Sequence, residues 1–207
     1  IPNEDSLLPE FDETNLFEFS RFPGVDAYEE GQHLNLALNY TYDRLGLLKA
    51  GFMVGKILRT KDNQQFSRST GLDGKSSDWL TSSKLNIGSN FTLINRALLE
   101  DDLSILRNVM HLDWSYKSLS TVSKYIWHQS DVTLGQDKNI SQLYLDAGYN
   151  IDTDWNISTS MNYDFTENET TLSNGLDLVF YNDCTKASFS FTRKEVSQTE
   201  KLNEIAF

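Results

Sequence analysis

The side chains able to do chemistry are few and scattered. Histidines stand at His33, His111 and His128, and none has a second ligand at metal-binding spacing. They read as solvated residues of a rim or a wet wall. Carboxylates cluster at Glu29–Glu30 and at Glu100–Asp101–Asp102. Paired carboxylates can do general acid/base work or hold a divalent cation. These lie in turns with no partner motif, so they read as solvated loop charge. No Gly-x-Ser-x-Gly, phosphate-binding loop or His-Glu-x-x-His occurs. The expectation is a chain with no catalytic residue, no metal and no cofactor, which is not an enzyme. Its one cysteine, Cys184, has no second thiol in the chain to bridge.

Composition narrows the partners. The chain has 207 residues, enough for one domain with a sizeable core. Its 18 basic and 30 acidic residues give a net charge of −12, which argues against nucleic acid. No run of 18 apolar residues exists, so no helix crosses a membrane. The mean hydropathy of −0.46 still suits a membrane barrel, where only alternate strand residues meet lipid. The chain starts at Ile1, without Met or signal peptide, and reads as processed or truncated.

The elements that must position these residues are strands. Residues 1–31 are irregular and acidic, with Pro2, Pro9, Pro23 and Gly24, and read as a surface loop. From residue 32 the pattern has period two. Leu34, Leu36 and Leu38 alternate with Asn35, Ala37 and Asn39, so one face is apolar and one wet. The alternation returns over 47–59, 103–116, 118–129, 140–151, 154–165, 174–181 and 185–193. It is weaker over 79–99, which reads as one strand or a pair. In 103–116, Leu106, Met110, Leu112 and Trp114 share a face, with Asn108 among them. The expected lipid-facing residues include Leu34, Leu36, Leu38, Leu145, Ile157 and Phe189. The expected lumen-facing residues include Asn35, Asp146, Ser158 and Ser188.

A soluble β-sandwich also alternates. Two features favour an antiparallel transmembrane β-barrel. Aromatics gather at strand ends, as in Tyr40, Tyr42, Trp114, Tyr116, Tyr125, Trp127, Tyr163 and Phe165, and such rings favour the membrane interface. The second face is Asn, Ser, Asp and Lys, not a second packed layer. Short turns at 43–46, 116–118 and 152–154 oppose longer loops at 60–78 and 130–139, the asymmetry of outer-membrane barrels. About nine strands without closure imply an arc of a larger barrel.

Several ordered segments resemble one family. IPNEDS at the start, FDETNLF (Phe11 to Phe17) and RFPGVDAYEEG (Arg21 to Gly31) are similar to the run before a barrel strand in the lipopolysaccharide-assembly outer-membrane protein LptD (OstA) family. GLDGKSSDW (Gly71 to Trp79), LLEDDLSILRN (Leu98 to Asn108) and YNDC (Tyr181 to Cys184) resemble its later junctions. Ala27 and Lys56 depart from its usual residues. The resemblance implies that residues 1–207 are the C-terminal part of one barrel domain, with loops to 31 and strands from 32 to 207. A periplasmic N-terminal domain and the earlier barrel would precede it.

The implied function is assembly of lipopolysaccharide into the outer leaflet of the bacterial outer membrane. The implied partners are lipopolysaccharide, a plug lipoprotein (LptE-like) and a periplasmic bridge protein (LptA-like). Cys184 is then a disulfide candidate toward a cysteine outside these residues; read without the family it is a buried small hydrophobe. Leu202, Ile205 and Phe207 are candidates for the strand that closes the barrel at a lateral gate. A passive porin or a ligand-gated import barrel is the alternative.

Overall fold

Period-two sequence builds one sheet. The computed structural model describes residues 11–22, 29–63, 66–132, 135–166, 172–195 and 201–206. Among these the strands are β1 (His33–Arg44), β2 (Leu48–Asn63), β3 (Gly74–Ser76), β4 (Trp79–Ile87), β5 (Phe91–Leu99) and β6 (Ile105–Tyr116). They continue as β7 (Leu119–His128), β8 (Ile140–Asn150), β9 (Trp155–Asp164), β10 (Leu172–Tyr181), β11 (Lys186–Glu195) and β12 (Lys201–Ala206). The order is β1-β2-β4-β5-β6-β7-β8-β9-β10-β11-β12, with β3 laid against β2. Neighbours run antiparallel throughout. The sheet is open: among the described residues β1 and β12 each pair on one side only.

The weak stretch over 79–99 is the pair β4 and β5. The span 60–78 is not plain loop: β2 runs on to Asn63, and a 3-10 turn, Arg68–Thr70, and β3 follow. Gly71 ends that turn at φ 67°, a backbone conformation that favours glycine. The final apolar segment forms β12, paired with β11 from Ser190↔Ala206 to Glu195↔Lys201. Phe207 lies outside the described residues.

Directly opposed residues share a face, so the register sorts the side chains. It places Leu34, Leu36, Leu38, Leu145, Ile157 and Phe189 on one face and Asn35, Asp146, Ser158 and Ser188 on the other. Connections alternate between two rims. One rim carries the short turns at 45–47, 88–90, 117–118, 151–154 and 182–185. At the first, Leu45 and Gly46 both take positive φ, and Leu47 N–H closes on Arg44 C=O at 2.9 Å. The opposite rim carries the longer connections.

The polar face is not wet throughout. Near the long-loop rim Ile57, Leu80 and Leu98 are buried, and Phe11, Leu16, Phe22, Phe66 and Leu72 pack over them. The segment expected as a surface loop therefore supplies three buried apolar residues. Leu106 differs from expectation too. The β5–β6 register slips between Leu98↔Arg107 and Leu99↔Ile105, leaving Leu106 as the extra residue of a bulge. It turns into this core instead of sharing the face of Met110. Leu16 sits directly on Gly55: a Cβ built there would lie 2.5 Å from Leu16 Cδ2.

Charge locks these overlying segments, a cap on the sheet, in place. Arg21 Nη1 donates to Glu29 Oε1 at 2.7 Å, and Arg59 Nε donates to Glu29 Oε2 at 3.2 Å. All three side chains are at most 1% exposed. The guanidiniums also donate to main-chain carbonyls, Arg21 to Leu16 and Arg59 to Leu72. Glu29 is thus no solvated loop charge. Phe22 stacks on Phe66 at 4.5 Å, and Arg59 lies over the Phe66 ring. Where the β2–β4 ladder ends at Gly55↔Leu80, Ser77 takes over. Its Oγ accepts from Ile57 N–H and its own N–H donates to Ile57 C=O, both at 2.9 Å.

Two outcomes follow for the full-length protein. Glu29→Ala strands two buried cations, so urea unfolding should show a loss of about 3–5 kcal/mol. Asp78, in the loop between β3 and β4, titrates at about 6, pushed up first by burial and then by Asp73, Glu100 and Asp101. A raised carboxylate pKa favours the folded state while protonated, and that stability is lost as pH rises from about 4 through 6. Asp78→Asn should therefore raise the melting temperature above pH 6 and leave it unchanged near pH 4.

Candidate functional site

The polar face carries the groups that could meet a polar solute. Beside the cap, β5, β6 and β7 enclose a cavity of about 510 Å³, with Arg96, Arg107, His111 and Lys124 at its walls. The cap supplies Phe11 and Asp12 on one side. Arg96 Nε meets Glu13 Oε1 at 2.5 Å, and Arg107 Nη2 donates to Phe11 C=O at 2.8 Å. His111 Nε2 lies 3.2 Å from Asp113 Oδ2. Farther along, β7 to β10 form a shallower hollow of about 370 Å³ bordered by Ser120, Asp146, Asn156, Ser158 and Asp177. The face is thus divided, basic beside the cap and neutral to acidic beyond it.

Its chemistry is hydrogen bonding and charge. Among the described residues no group of three or more His, Cys, Asp or Glu is placed to hold a metal. His33, His111 and His128 all fall on the polar face by register, on three different strands. The Glu100–Asp101–Asp102 cluster caps the β5–β6 connection. There Glu100 pairs with Arg68 at 2.7 Å, and Asp101 pairs with Lys56. Lys56 also lies over the Trp79 ring, 4.6 Å from its centroid.

Cys184 is free and exposed in the turn joining β10 to β11. Asn182 Oδ1 accepts from the N–H groups of Cys184 and Thr185 at 3.0 and 2.8 Å, which holds the thiol on the short-turn rim. The reading of a buried small hydrophobe is overturned. Leu202 and Ile205 stand in β12, opposite Lys194 and Phe191.

Sequence reasoning missed Arg21, Arg59, Arg96, Arg107 and Lys124. A signal existed for the cap. Ile57–Leu58, Trp79–Leu80 and Leu98–Leu99 are apolar on consecutive positions, so both faces must be covered there. The cations sit on wet positions, where any polar residue fits the alternation, so pattern alone could not single them out.

No curated protein matches the chain. The family model for LptD, described as LPS transport system D, matches residues 1–155. That span runs from the cap through all of β8 to the first residue of β9. Over those residues, a wall of strands with one polar and one apolar face, the match is to a lipopolysaccharide-transport family: the chain belongs to the LptD family and serves lipopolysaccharide transport.

Proposed function

We propose that residues 1–207 form the C-terminal arc of an outer-membrane β-barrel that releases lipopolysaccharide sideways into the outer leaflet. In this reading the apolar face meets lipid and the polar face meets the lumen. Its work is transport, not catalysis. A plug lipoprotein (LptE-like) sits in the lumen, and a periplasmic bridge protein (LptA-like) delivers the substrate through a domain outside this chain. Cys184, free and exposed on the short-turn rim, is in this reading a disulfide partner for a cysteine outside these residues. An oxidising periplasm permits such a bond.

The observation that carries this reading is the separation of faces, in a chain of the lipopolysaccharide-transport family. Leu34, Leu38 and Phe189 are 55%, 66% and 41% exposed, and so much exposed apolar surface requires a cover. Lipid supplies it without unpairing the ladders, because strands cross a bilayer with every backbone group bonded to a neighbour. A porin would share the faces, yet it needs no exit for acyl chains.

Lipopolysaccharide joins sugars that suit the lumen to acyl chains that suit the membrane, so one strand pair must part. The candidate seam includes Leu202, Ile205 and Phe207. β12 pairs with β11 over six residues, and in the complete barrel its other edge meets the first strand. Each ladder bond contributes only about 0.5–1.5 kcal/mol net, so a seam with few ladder bonds opens at low cost. The test pairs Ile205→Cys with cysteines scanned along that first strand in the full-length protein. Bridging the pair with a bismaleimide should stop new lipopolysaccharide reaching the cell surface, while each single-cysteine control, treated identically, exports normally. Normal export from the bridged protein would sink the lateral-release reading.

A further inference from the structure

We propose that the cavity walled by Arg96, Arg107, His111 and Lys124 binds the phosphate groups of a phosphorylated saccharide passing along the polar face, an inference that rests on the transport reading above. The chain carries a net charge of −12, yet the polar face of β4 to β7 gathers basic residues. Lys84↔Ile94, Ile94↔His111 and His111↔Lys124 are cross-strand partners, so Lys84, His111 and Lys124 occupy one row. Arg96 and Arg107 stand in the next two rows toward the cap. Rows on one face are about 6.8 Å apart and strands about 4.8 Å, so all five side chains fall within the reach of one oligosaccharide.

Of the carboxylates that face these cations, Glu13 engages Arg96 and Asp113 engages His111. Asp12 is hydrogen-bonded to Thr14 within the cap segment. Lys84 and Lys124 are exposed and have no ion pair or hydrogen bond among the described residues. Like charges set close together on one face of a sheet oppose folding. Neither lysine is repaid by a partner among the described residues, so each is open to an anion from outside.

Leu80, Leu98, Val109 and Ile126 line the same cavity. An apolar floor under a charged rim suits a sugar ring, which offers carbon–hydrogen faces and anionic edges. The volume of about 510 Å³ lies within the roughly 300–1,000 Å³ of ligand pockets. The cap closes one side with Phe11 and Asp12, which favours a compact sugar phosphate over an acidic polypeptide, whose extended chain needs an open groove.

The test uses the full-length protein with p-benzoylphenylalanine at Ile126 or, separately, at Ser158, and purified rough lipopolysaccharide as probe. Adducts should form at both positions. Lys84→Gln with Lys124→Gln should cut the Ile126 yield about fivefold to tenfold, as loss of two exposed charge contacts predicts, and leave the Ser158 yield and the melting temperature unchanged. Lipopolysaccharide stripped of phosphate by hydrofluoric acid should lose the Ile126 adduct to a similar extent. An unchanged Ile126 yield with the double variant or the stripped probe overturns the site, as does a polypeptide adduct in place of lipopolysaccharide. Adducts at Ser158 but not Ile126 overturn the site and leave the transport reading standing; adducts at neither position overturn both.

Discussion

A strand offers its side chains only two directions, and everything in this sheet depends on keeping them apart. The ladder register carries that separation from one strand to the next: a slip by one residue would move every leucine of a strand to the wet face. The register holds across all the paired strands, with irregularities in the β2–β3 pairing and at the β5–β6 bulge. Both lie at the long-loop end, where the polar face stops being wet. The irregularities thus mark where the sheet changes task from wall to core.

That core has an unusual composition. It combines an apolar floor on β2, β4, β5 and β6 with a buried pair of arginines around one glutamate. Buried ion pairs contribute little net stability against a well-packed apolar alternative, because desolvation costs as much as attraction returns. Their effect here is positional. A carboxylate satisfied by Arg21 and Arg59, with both guanidiniums also bonded to carbonyls, leaves the cap one way to sit. Leu16 over Gly55 adds a steric key, since the contact needs the missing Cβ. The cap in turn gives the basic cavity its closed side, through Phe11 and Asp12.

The strands were legible because alternation is written residue by residue. Leu34 to Tyr42 and Leu143 to Ile151 announce both their element and their faces. The stretch 79–99 was less clear because Ser82–Ser83 and Leu98–Leu99 repeat one character across both faces. Family membership was also legible, since the ordered segments from Phe11 to Asn108 lie inside the matched residues. The cap was not. Its apolar residues Phe11, Leu16 and Phe22 follow neither strand nor helix spacing, and Glu29 carries no local mark of the arginine it meets on β2. The basic cavity was invisible for a related reason: Arg96, Arg107 and Lys124 come together only through strand pairing, and each alone is an ordinary residue of a wet face.

In the proposed reading the two faces meet two solvents, lipid and water. Adjacent residues at the middle of β8 test it most directly, because Leu145 and Asp146 differ in face and in little else of position. The measurement is the unfolding free energy, in bilayers, of the full-length protein with Leu145→Arg or with Asp146→Arg. An arginine facing lipid near the bilayer midplane costs about 2–4 kcal/mol. The account predicts that loss for Leu145→Arg and a far smaller one for Asp146→Arg. Equal losses, or the larger loss at Asp146, would contradict it.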